Sequence, residues 1–330
     1  MYLDKIETLK NSKSILVAPL NWGLGHASRS LVLINKFIKL GKNVGIATDG
    51  LSLEWLQKEL NDQNLDFFEL PGYDVDYNSN NMNWNMIRQY PKIQRAIKLE
   101  NKITEKIVDL WAPDLIISDN RYGVYHPEVE SVMLTHQLSM TYEGKLTATA
   151  FELQIKNWTK EFNQFWIPDY PDQKLTGKMT NNSSETPTTF IGPLSRFAEA
   201  PKEGEGILVI LSGPEPQRSL LERNLNEQLS SVGEEITFVR GTNADLPKLN
   251  TNFNLIPLAS TNQLQELINK ARLVITRSGY SSIMDFDVLK KPVIMIPTPG
   301  QKEQEYLARV HKENTSMKFV SQGEDLSMYI

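Results

Sequence analysis

The sequence contains no cysteine among its 330 residues. This absence excludes disulfide bonds, thiolate metal ligands and a cysteine nucleophile. A strong charge of one sign is also missing, because the formal net charge is only −5. A surface that binds nucleic acid needs a basic field to meet the phosphates, so nucleic acid is not expected as a partner.

Long apolar runs are missing as well. None approaches the roughly 20 residues of a membrane-spanning helix, and the polar start MYLDKIETLKNSK has no apolar signal core. We therefore expect a cytoplasmic protein. Lys36, Lys39 and Lys42 would allow weak peripheral contact with an anionic membrane, although three lysines on a helix are also what an ordinary solvated face presents.

Short apolar runs do occur, and they alternate with helical patterns along the whole chain. Segments long enough for crossover helices separate them, which predicts an α/β fold with doubly wound parallel sheets. The predicted strands are Ser14–Leu20, Asn43–Ala47, Asp66–Leu70, Asp114–Ser118, Ser131–Thr135, Ile207–Leu211, Ile236–Val239, Leu273–Thr276 and Val293–Ile296.

Two halves of the chain begin in the same way. SILVAPLNWGLGHASR and, from Gly206, GILVILSGPEPQRS each read as a strand, a turn of small residues and a helix. The stretch 192–206, GPLSRFAEAPKEGEG, is rich in Gly, Pro and charge, which is typical of a linker. The sequence therefore predicts two Rossmann-like domains, residues 1–194 and 195–330.

The first candidate site is the turn NWGLGHASR. Gly23 and Gly25 would let the backbone approach a ligand closely. His26 falls in the first turn of the following helix, where the helix dipole favours a neutral imidazole that can accept a proton. A capping or packing histidine would fit the same spacing. Ser28 stands where a dinucleotide-binding turn has its third glycine, so that ligand is disfavoured.

Two further polar residues follow predicted strands of the first half. Asp119 comes in LIISDNRYG and His136 in VMLTHQL. Adjacent strand ends can bring them into one cleft with His26, where a carboxylate would orient the imidazole and stabilise its protonated form. Both residues also have a purely structural interpretation. Asp119 would then cap a loop, and His136 would be a buried histidine with its hydrogen bonds satisfied.

The second candidate site is TRSGYSSIMDFD, in the C-terminal half. Gly279 would permit a tight turn, and the N–H groups that begin the next helix would bind an anion. Asp285, one turn later, is placed to accept from ribose hydroxyls. An N-capped helix with a solvated Asp285 is the alternative. The residues with a predicted part in this site are Arg277, Ser278, Gly279, Tyr280, Ser281, Ser282 and Asp285.

Two other loops of the C-terminal half add candidates. TPGQKEQEY offers Gln304 and Glu305 at a neighbouring strand end. LSGPEPQRS offers Ser212, Gly213 and Gln217, and Arg218 could pair with a phosphate, although a surface arginine is the plainer interpretation. No metal site is predicted, because the D-x-D pair Asp74 and Asp76 lies in an Asn-rich stretch rather than at a buried strand end. No cofactor is expected.

These motifs resemble those of GT-B glycosyltransferases, most closely family 28, the MurG-like family. The resemblance implies two Rossmann-like doubly wound parallel-sheet domains that face a cleft, with an acceptor-side domain first and a domain that binds the nucleotide-sugar donor second. The stretch 73–110 is peculiar to this chain. Members of these folds usually end with a helix that crosses back to the first domain, whereas this sequence stops at GEDLSMYI.

The resemblance also implies roles for individual residues. His26 matches the glycine-loop histidine, a candidate base, and Asp119 resembles the aspartate that partners such a histidine in the related family 1. Ser278–Ser282 match the diphosphate-binding turn, and Asp285 matches the acidic residue that holds the ribose. Gln304 matches one of a glutamine pair that contacts the donor sugar, while Glu305 replaces the other glutamine, which puts the identity of the sugar in question.

The implied activity is transfer of a sugar from a nucleotide diphosphate donor, with a UDP-sugar expected, to a hydroxyl acceptor. It would proceed with inversion and without a metal, His26 acting as base. The acceptor would be a carbohydrate or a lipid-linked molecule, and Gly23, Gly25, Trp84 and His136 lie on its expected side. A nucleotide-sugar hydrolase or epimerase, and a non-catalytic nucleotide-sugar sensor, are the alternatives.

Overall fold

The computed structural model describes residues 6–73, 82–140, 145–213, 215–242 and 253–330, with the backbone alone for helical residues 82–89, 145–148, 150 and 151. The chain divides into two compact units, Met1–Leu194 and Ser195–Ile330. The division falls inside the stretch whose composition is typical of a linker. In the described part of the chain, no helix is long and apolar enough to cross a membrane.

The N-terminal unit is built on a parallel sheet with the strand order β3-β2-β1-β4-β5-β6-β7 among its described residues. Its central strands are almost continuous apolar runs that are buried on both faces, as parallel sheets require. The strands are β1 (Ser14–Pro19), β2 (Asn43–Thr48), β3 (Asp66–Glu69), β4 (Leu115–Asp119), β5 (Glu130–Leu134), β6 (Gln164–Ile167) and β7 (Thr188–Phe190).

Helices connect these strands. In α2, apolar residues recur at helical spacing and turn one face towards the sheet, and Gly41 follows with a φ of +71°. One part of the core packs Leu16 and Ile116 of the sheet against Ile107 of α4. The helices are α1 (Glu7–Asn11), α2 (Leu24–Lys39), α3 (Gly50–Glu59), α4 (Met82–Trp111) and α5 (Lys145–Thr159).

The C-terminal unit repeats the plan with the order β10-β9-β8-β11-β12-β13, again all parallel within the described residues. Its strands are β8 (Ile207–Ile210), β9 (Ile236–Val239), β10 (Asn254–Ile256), β11 (Leu273–Arg277), β12 (Val293–Ile296) and β13 (Met317–Phe319). Its helices are α6 (Gln217–Leu229), α7 (Thr261–Lys270), α8 (Tyr280–Leu289) and α9 (Lys302–Val310). The predicted fold class, two Rossmann-like doubly wound parallel sheets, is therefore confirmed.

All nine predicted strands are present, and sequence reasoning missed four: β6, β7, β10 and β13. β7, β10 and β13 have only three residues, which is too short for an apolar period to stand out, whereas β6 is as long as several of the predicted strands. Three of them, β7, β10 and β13, are also edge strands with one neighbour each.

The predicted linker lies along the C-terminal unit. The fully buried Lys291 donates from Nζ to the main-chain oxygens of Pro201 and Glu203, at 2.5 and 2.9 Å. Glu205 N donates to Lys270 O at 2.8 Å. These bonds fix the path of the segment that precedes β8.

Candidate functional site

The turn between β1 and α2 has the geometry that its two glycines predict. Gly23 caps the helix with φ +70° and ψ 178°, a backbone conformation that residues with a Cβ rarely adopt. α2 begins at Leu24, so Gly25 and His26 both lie in its first turn. The side chain of His26 is 13% exposed.

Strand order brings His26 to Asp119. β4 lies beside β1 with Asp119 in register with Pro19, so that the carboxyl ends of these strands meet at one edge of the sheet. His26 Nδ1 lies 2.7 Å from Asp119 Oδ1. Asp119 itself is fully buried. The predicted histidine–aspartate contact is therefore formed within the N-terminal unit.

His136 joins the same cluster through a residue that the sequence analysis missed. Arg29, which is only 1% exposed, donates from Nε to Asp119 Oδ2 at 2.7 Å and from Nη2 to Asp119 Oδ1. Its Nη1 lies 3.0 Å from His136 Nδ1. Ser30 Oγ also donates to Asp119 Oδ2, at 3.1 Å.

A signal for Arg29 was present in the sequence. It stands three residues after His26, on the same side of α2, and it interrupts the buried face formed by Ala27, Leu31 and Ile34. A cation on an otherwise apolar helix face needs a buried anionic partner. The sequence could therefore have indicated that Arg29 meets an aspartate, although not which one.

Burial keeps the base of this cluster neutral, and the neighbouring charges keep the acid ionised. Burial lowers the pKa of His26; Asp119 raises it, while Arg29 and His136 lower it further. Burial alone would raise the pKa of Asp119, but Arg29 and His26 outweigh burial and hold it well below its usual range. At neutral pH the cluster therefore presents a neutral imidazole beside a carboxylate.

A second buried network lies beside the glycine turn and was not predicted. Arg121 is fully buried and donates to Glu100 Oε1 at 3.0 Å, to Asp49 Oδ1, and to the main-chain oxygen of Pro19 at 3.1 Å. Asp49 Oδ2 accepts from Asn21 Nδ2 at 3.1 Å. Because Asn21 begins the NWGLGH turn, this network holds the base of the turn in place.

In the C-terminal unit, Arg277 ends β11 and bridges the loops around it. It is 2% exposed and donates to the main-chain oxygens of Gln217, Ile296 and Pro297, at 2.8, 3.4 and 3.3 Å. Its Nε is buried and has no partner, and it contacts no carboxylate among the described residues. Burial lowers the pKa of Arg277 to about 10. Within the described residues, Arg277 is therefore a buried cation without a counter-ion.

The turn after β11 leads into α8 as expected, but Gly279 does not serve a tight turn. Its φ of −65° and ψ of 152° are open to every residue. A Cβ at Gly279 would meet nothing within 4 Å, so open space adjoins the first turn of α8. Ser278 Oγ is buried, and none of the residues that the structure describes is its hydrogen-bond partner. Tyr280 is buried, while Ser281 and Ser282 are partly buried.

Asp285 lies in α8, is partly buried, and accepts a hydrogen bond from a residue outside that helix. Ser195 Oγ donates to its Oδ1 at 2.7 Å, and the described residues offer no partner for Oδ2. Burial raises the pKa of Asp285 to about 6, although Arg196 and the Ser195 hydrogen bond favour the charged form. The alternative interpretation, a solvated Asp285, does not fit this burial, and its contact with a ribose stays a prediction.

The predicted residues of the loop after β8 differ in their exposure to solvent. Ser212 and Gly213 are exposed, and Gly213 has a φ of +100°. Gln217 begins α6, and its buried Oε1 has no hydrogen-bond partner in the part of the chain that the structure describes. Arg218 is no surface arginine: it is 2% exposed and pairs with Glu215 at 2.6 Å and Glu222 at 3.3 Å. Carboxylates therefore already balance its charge.

Gln304 and Glu305 both bond back to their own loop. Gln304 Oε1 accepts from Thr298 N at 2.8 Å, and its Nε2 donates to Gln301 Oε1 at 2.5 Å. Glu305 Oε1 accepts from Gly300 N at 3.1 Å. The two side chains therefore shape the loop after β12, and a contact with a sugar stays a prediction.

Two predictions about the acceptor-side segment cannot be compared with coordinates. Trp84 lies in α4, but its side chain is outside the described part of the chain. Asp74 and Asp76, the D-x-D pair, lie outside the described residues altogether.

Comparison with known proteins adds a family match over nearly the whole chain. The model described as "Glycosyl transferase family 1" matches residues 14–328. A curated relative from Prochlorococcus marinus (strain MIT 9301) is a UDP-N-acetylglucosamine–N-acetylmuramyl-(pentapeptide) pyrophosphoryl-undecaprenol N-acetylglucosamine transferase. It is 28% identical over 125 residues, 37% of this chain and 33% of the relative. The match thus spans about a third of that relative's length.

Solved structures with the same fold are also enzymes of this kind. The calicheamicin glycosyltransferase CalG4 superposes with a TM-score of 0.64 at 14% identity, over 96% of this chain and 87% of its own. Arabidopsis thaliana UGT89C1 complexed with UDP superposes with a TM-score of 0.61 at 12% identity, over 95% and 86%. At such identities the likeness shows the fold, which is GT-B.

Proposed function

Because this chain belongs to glycosyl transferase family 1, we propose that it transfers a sugar from a nucleotide diphosphate donor to a hydroxyl group of an acceptor. The N-terminal unit would bind the acceptor and the C-terminal unit the donor. The reaction would invert the anomeric centre, because one base would activate the acceptor for a single direct displacement.

The contact between His26 and Asp119 is the observation that carries this proposal. His26 Nδ1 donates to the buried carboxylate, which leaves Nε2 as the acceptor nitrogen. Nε2 has no partner among the described residues, and the side chain is partly exposed. In the proposed reaction, Nε2 removes the proton of the acceptor hydroxyl as its oxygen bonds to the anomeric carbon and the bond to the diphosphate breaks. Asp119 then stabilises the imidazolium.

The leaving diphosphate would be received by the turn after β11. The N–H groups of the first helical turn of α8 favour an anion, and the open space at Gly279 would let phosphate oxygens approach. Arg277 and Ser278 add a buried cation and an unpartnered hydroxyl. Of the two arginines predicted to neutralise the diphosphate, we favour Arg277, since carboxylates already pair with Arg218. These groups supply positive charge where it is needed, so we expect transfer without a metal ion.

The finer features of the substrates are proposed from the names of similar proteins. The curated relative is named for a UDP-sugar donor and a lipid-linked acceptor, and one structural neighbour is complexed with UDP. They support a UDP-sugar as donor, kinship with family 28, and a carbohydrate or lipid-linked acceptor. A cytoplasmic location and weak contact with an anionic membrane surface fit the same proposal.

A two-step experiment tests the proposed function. Thermal-shift measurements with UDP-glucose, UDP-galactose and UDP-N-acetylglucosamine should identify a stabilising donor. Mass spectrometry of the reaction with that donor and a cell extract should then reveal a glycosylated product and UDP. UDP released equally fast without the extract would mean hydrolysis instead. Binding without turnover would mean a sensor, and no stabilisation by any nucleotide sugar would contradict the donor site.

A further inference from the structure

Arg29 contacts every described charged or titratable group of the His26 cluster. Its guanidinium donates to both oxygens of Asp119, at the end of β4, and lies 3.0 Å from the Nδ1 atoms of both His26 and His136. His26 and Arg29 come from α2, and His136 follows β5.

The two contacts at His26 Nδ1 decide where its proton lies. Asp119 Oδ1, an acceptor, is 2.7 Å from this nitrogen, and Arg29 Nη2, a donor, is 3.0 Å from it. With the proton on Nε2, two acceptors would face each other at 2.7 Å. With the proton on Nδ1, that contact becomes a hydrogen bond, and Nη2 keeps its own bond to Asp119. Neutral His26 should therefore carry its proton on Nδ1.

The same reasoning gives His136 the opposite tautomer. Its Nδ1 faces Arg29 Nη1, and a guanidinium can only donate. Nδ1 of His136 must therefore be the acceptor, and the proton of the neutral ring lies on Nε2. One arginine thus faces two histidines through the same ring atom, and Asp119 Oδ1 lies beside that atom of His26.

We propose that Arg29 is a positioning residue that gives His26 and His136 opposite tautomers and keeps His26 neutral as a base. Its part in catalysis rests on the proposed function, but the tautomers do not. Without the cation, nothing from Arg29 would oppose the pull of the buried Asp119 on the proton, so the pKa of His26 would rise and the imidazolium would be favoured. An imidazolium cannot accept the acceptor's proton, so the arginine would preserve the base that the aspartate orients.

Nitrogen NMR of the histidine side chains tests this proposal without an activity assay. The chain has four histidines, so ¹⁵N-histidine labelling gives a small set of signals, and His26→Gln and His136→Gln assign two of them. In the wild type, we expect His26 as the Nδ1–H form and His136 as the Nε2–H form. In Arg29→Met, the titration midpoint of His26 should rise by about one pH unit, and His136 should become a mixture of tautomers.

Arg29→Lys keeps the test decisive if Arg29→Met does not fold. Lysine retains the positive charge but lacks the planar set of donors, so it cannot reach Asp119 and His136 together. We expect the His26 midpoint to stay near the wild-type value while the fixed tautomer of His136 is lost. Lys58→Met, which removes an exposed cation of α3, should change neither. Unchanged midpoints and tautomers in the folded Arg29 variants would overturn the proposal.

Once a donor and an acceptor are known, steady-state kinetics of the same variants provide a second test. The acidic limb of the kcat profile should move to higher pH in Arg29→Met, by the shift seen in the NMR titration, while KM for the donor stays unchanged. A shifted NMR titration without any transferase activity would contradict the proposed function alone. Transferase activity with unaltered histidine signals would contradict the role of Arg29 alone.

Discussion

His26 Nδ1 lies 2.7 Å from Asp119 Oδ1, and the two residues are 93 positions apart in the sequence. The contact joins the first turn of α2 to the last residue of β4. It orients the ring so that Nε2, the opposite nitrogen, is the one that can accept a proton. The contact is made wholly within the N-terminal unit.

Replacement of His26 by alanine should slow transfer without weakening the donor site. A general base contributes roughly 10²–10⁴-fold to a rate, so kcat for His26→Ala should fall by that factor while the thermal shift caused by the donor persists. His126→Ala, in the short bridge before β5, is the matched control and should retain wild-type turnover. Unchanged turnover in His26→Ala would remove it from the mechanism.

Gly279→Ala should weaken binding of the UDP-sugar without lowering the stability of the fold. The new Cβ meets no protein atom and the backbone angles suit alanine, so the melting temperature should stay within a few degrees of the wild type. A diphosphate at the start of α8 would clash with that Cβ, and we expect affinity for the UDP-sugar, by calorimetry, to fall at least about tenfold, a loss of roughly 1.4 kcal/mol. Gly233→Ala, equally unobstructed and without a positive φ, should bind normally. Equal affinities would place the diphosphate elsewhere.

Donor affinity should depend on the ionisation of Asp285. Its pKa of about 6 means that the carboxylate, the form that accepts from ribose hydroxyls, prevails above that pH and is lost below it. Affinity for an intact UDP-sugar, whose diphosphate does not titrate in this range, should therefore fall from pH 7 to pH 5. Asp285→Asn should bind weakly with little pH dependence. A wild-type affinity that is constant over this range would show that Asp285 does not hold the ribose.

Arg277→Met should affect the diphosphate more than the nucleoside. A hydrogen bond to a charged group contributes about 1.5–3 kcal/mol, so affinity for UDP should fall roughly ten- to hundredfold while affinity for uridine changes little. Arg272→Met, which removes a partly exposed arginine paired with Glu234, is the control. An equal loss for UDP and uridine would mean that Arg277 acts only by tying its loops together.

The buried pair of Arg121 and Glu100 should matter for stability. Both side chains are fully buried, and removal of one partner from such a pair costs about 3–5 kcal/mol. Arg121→Met should therefore lower the urea midpoint, measured by circular dichroism, and Arg121→Met/Glu100→Gln should recover part of the loss. Lys160→Met, which breaks an exposed pair with Glu161, should change the midpoint little. A double variant less stable than Arg121→Met would argue against an unpaired Glu100 as the cause.

The sequence alone determined the parts of this protein that depend on local pattern. Most strands are apolar runs that appear as such in the sequence, so nine of them could be predicted, and so could the glycine turn with His26 behind it. The short strands β7, β10 and β13 could not, because three residues form a strand only when a neighbouring strand is there to pair with them.

Tertiary structure decided which charges meet. Arg218 and Arg277 look alike in the sequence, yet Arg218 pairs with Glu215 and Glu222, whereas the described partners of Arg277 are all carbonyl oxygens. Arg29 could be suspected from its place on an apolar face, but its aspartate is 90 residues away. Burial makes such pairings strong, and burial depends on how strands 50 or 100 residues apart are ordered in the sheet, which no local pattern records.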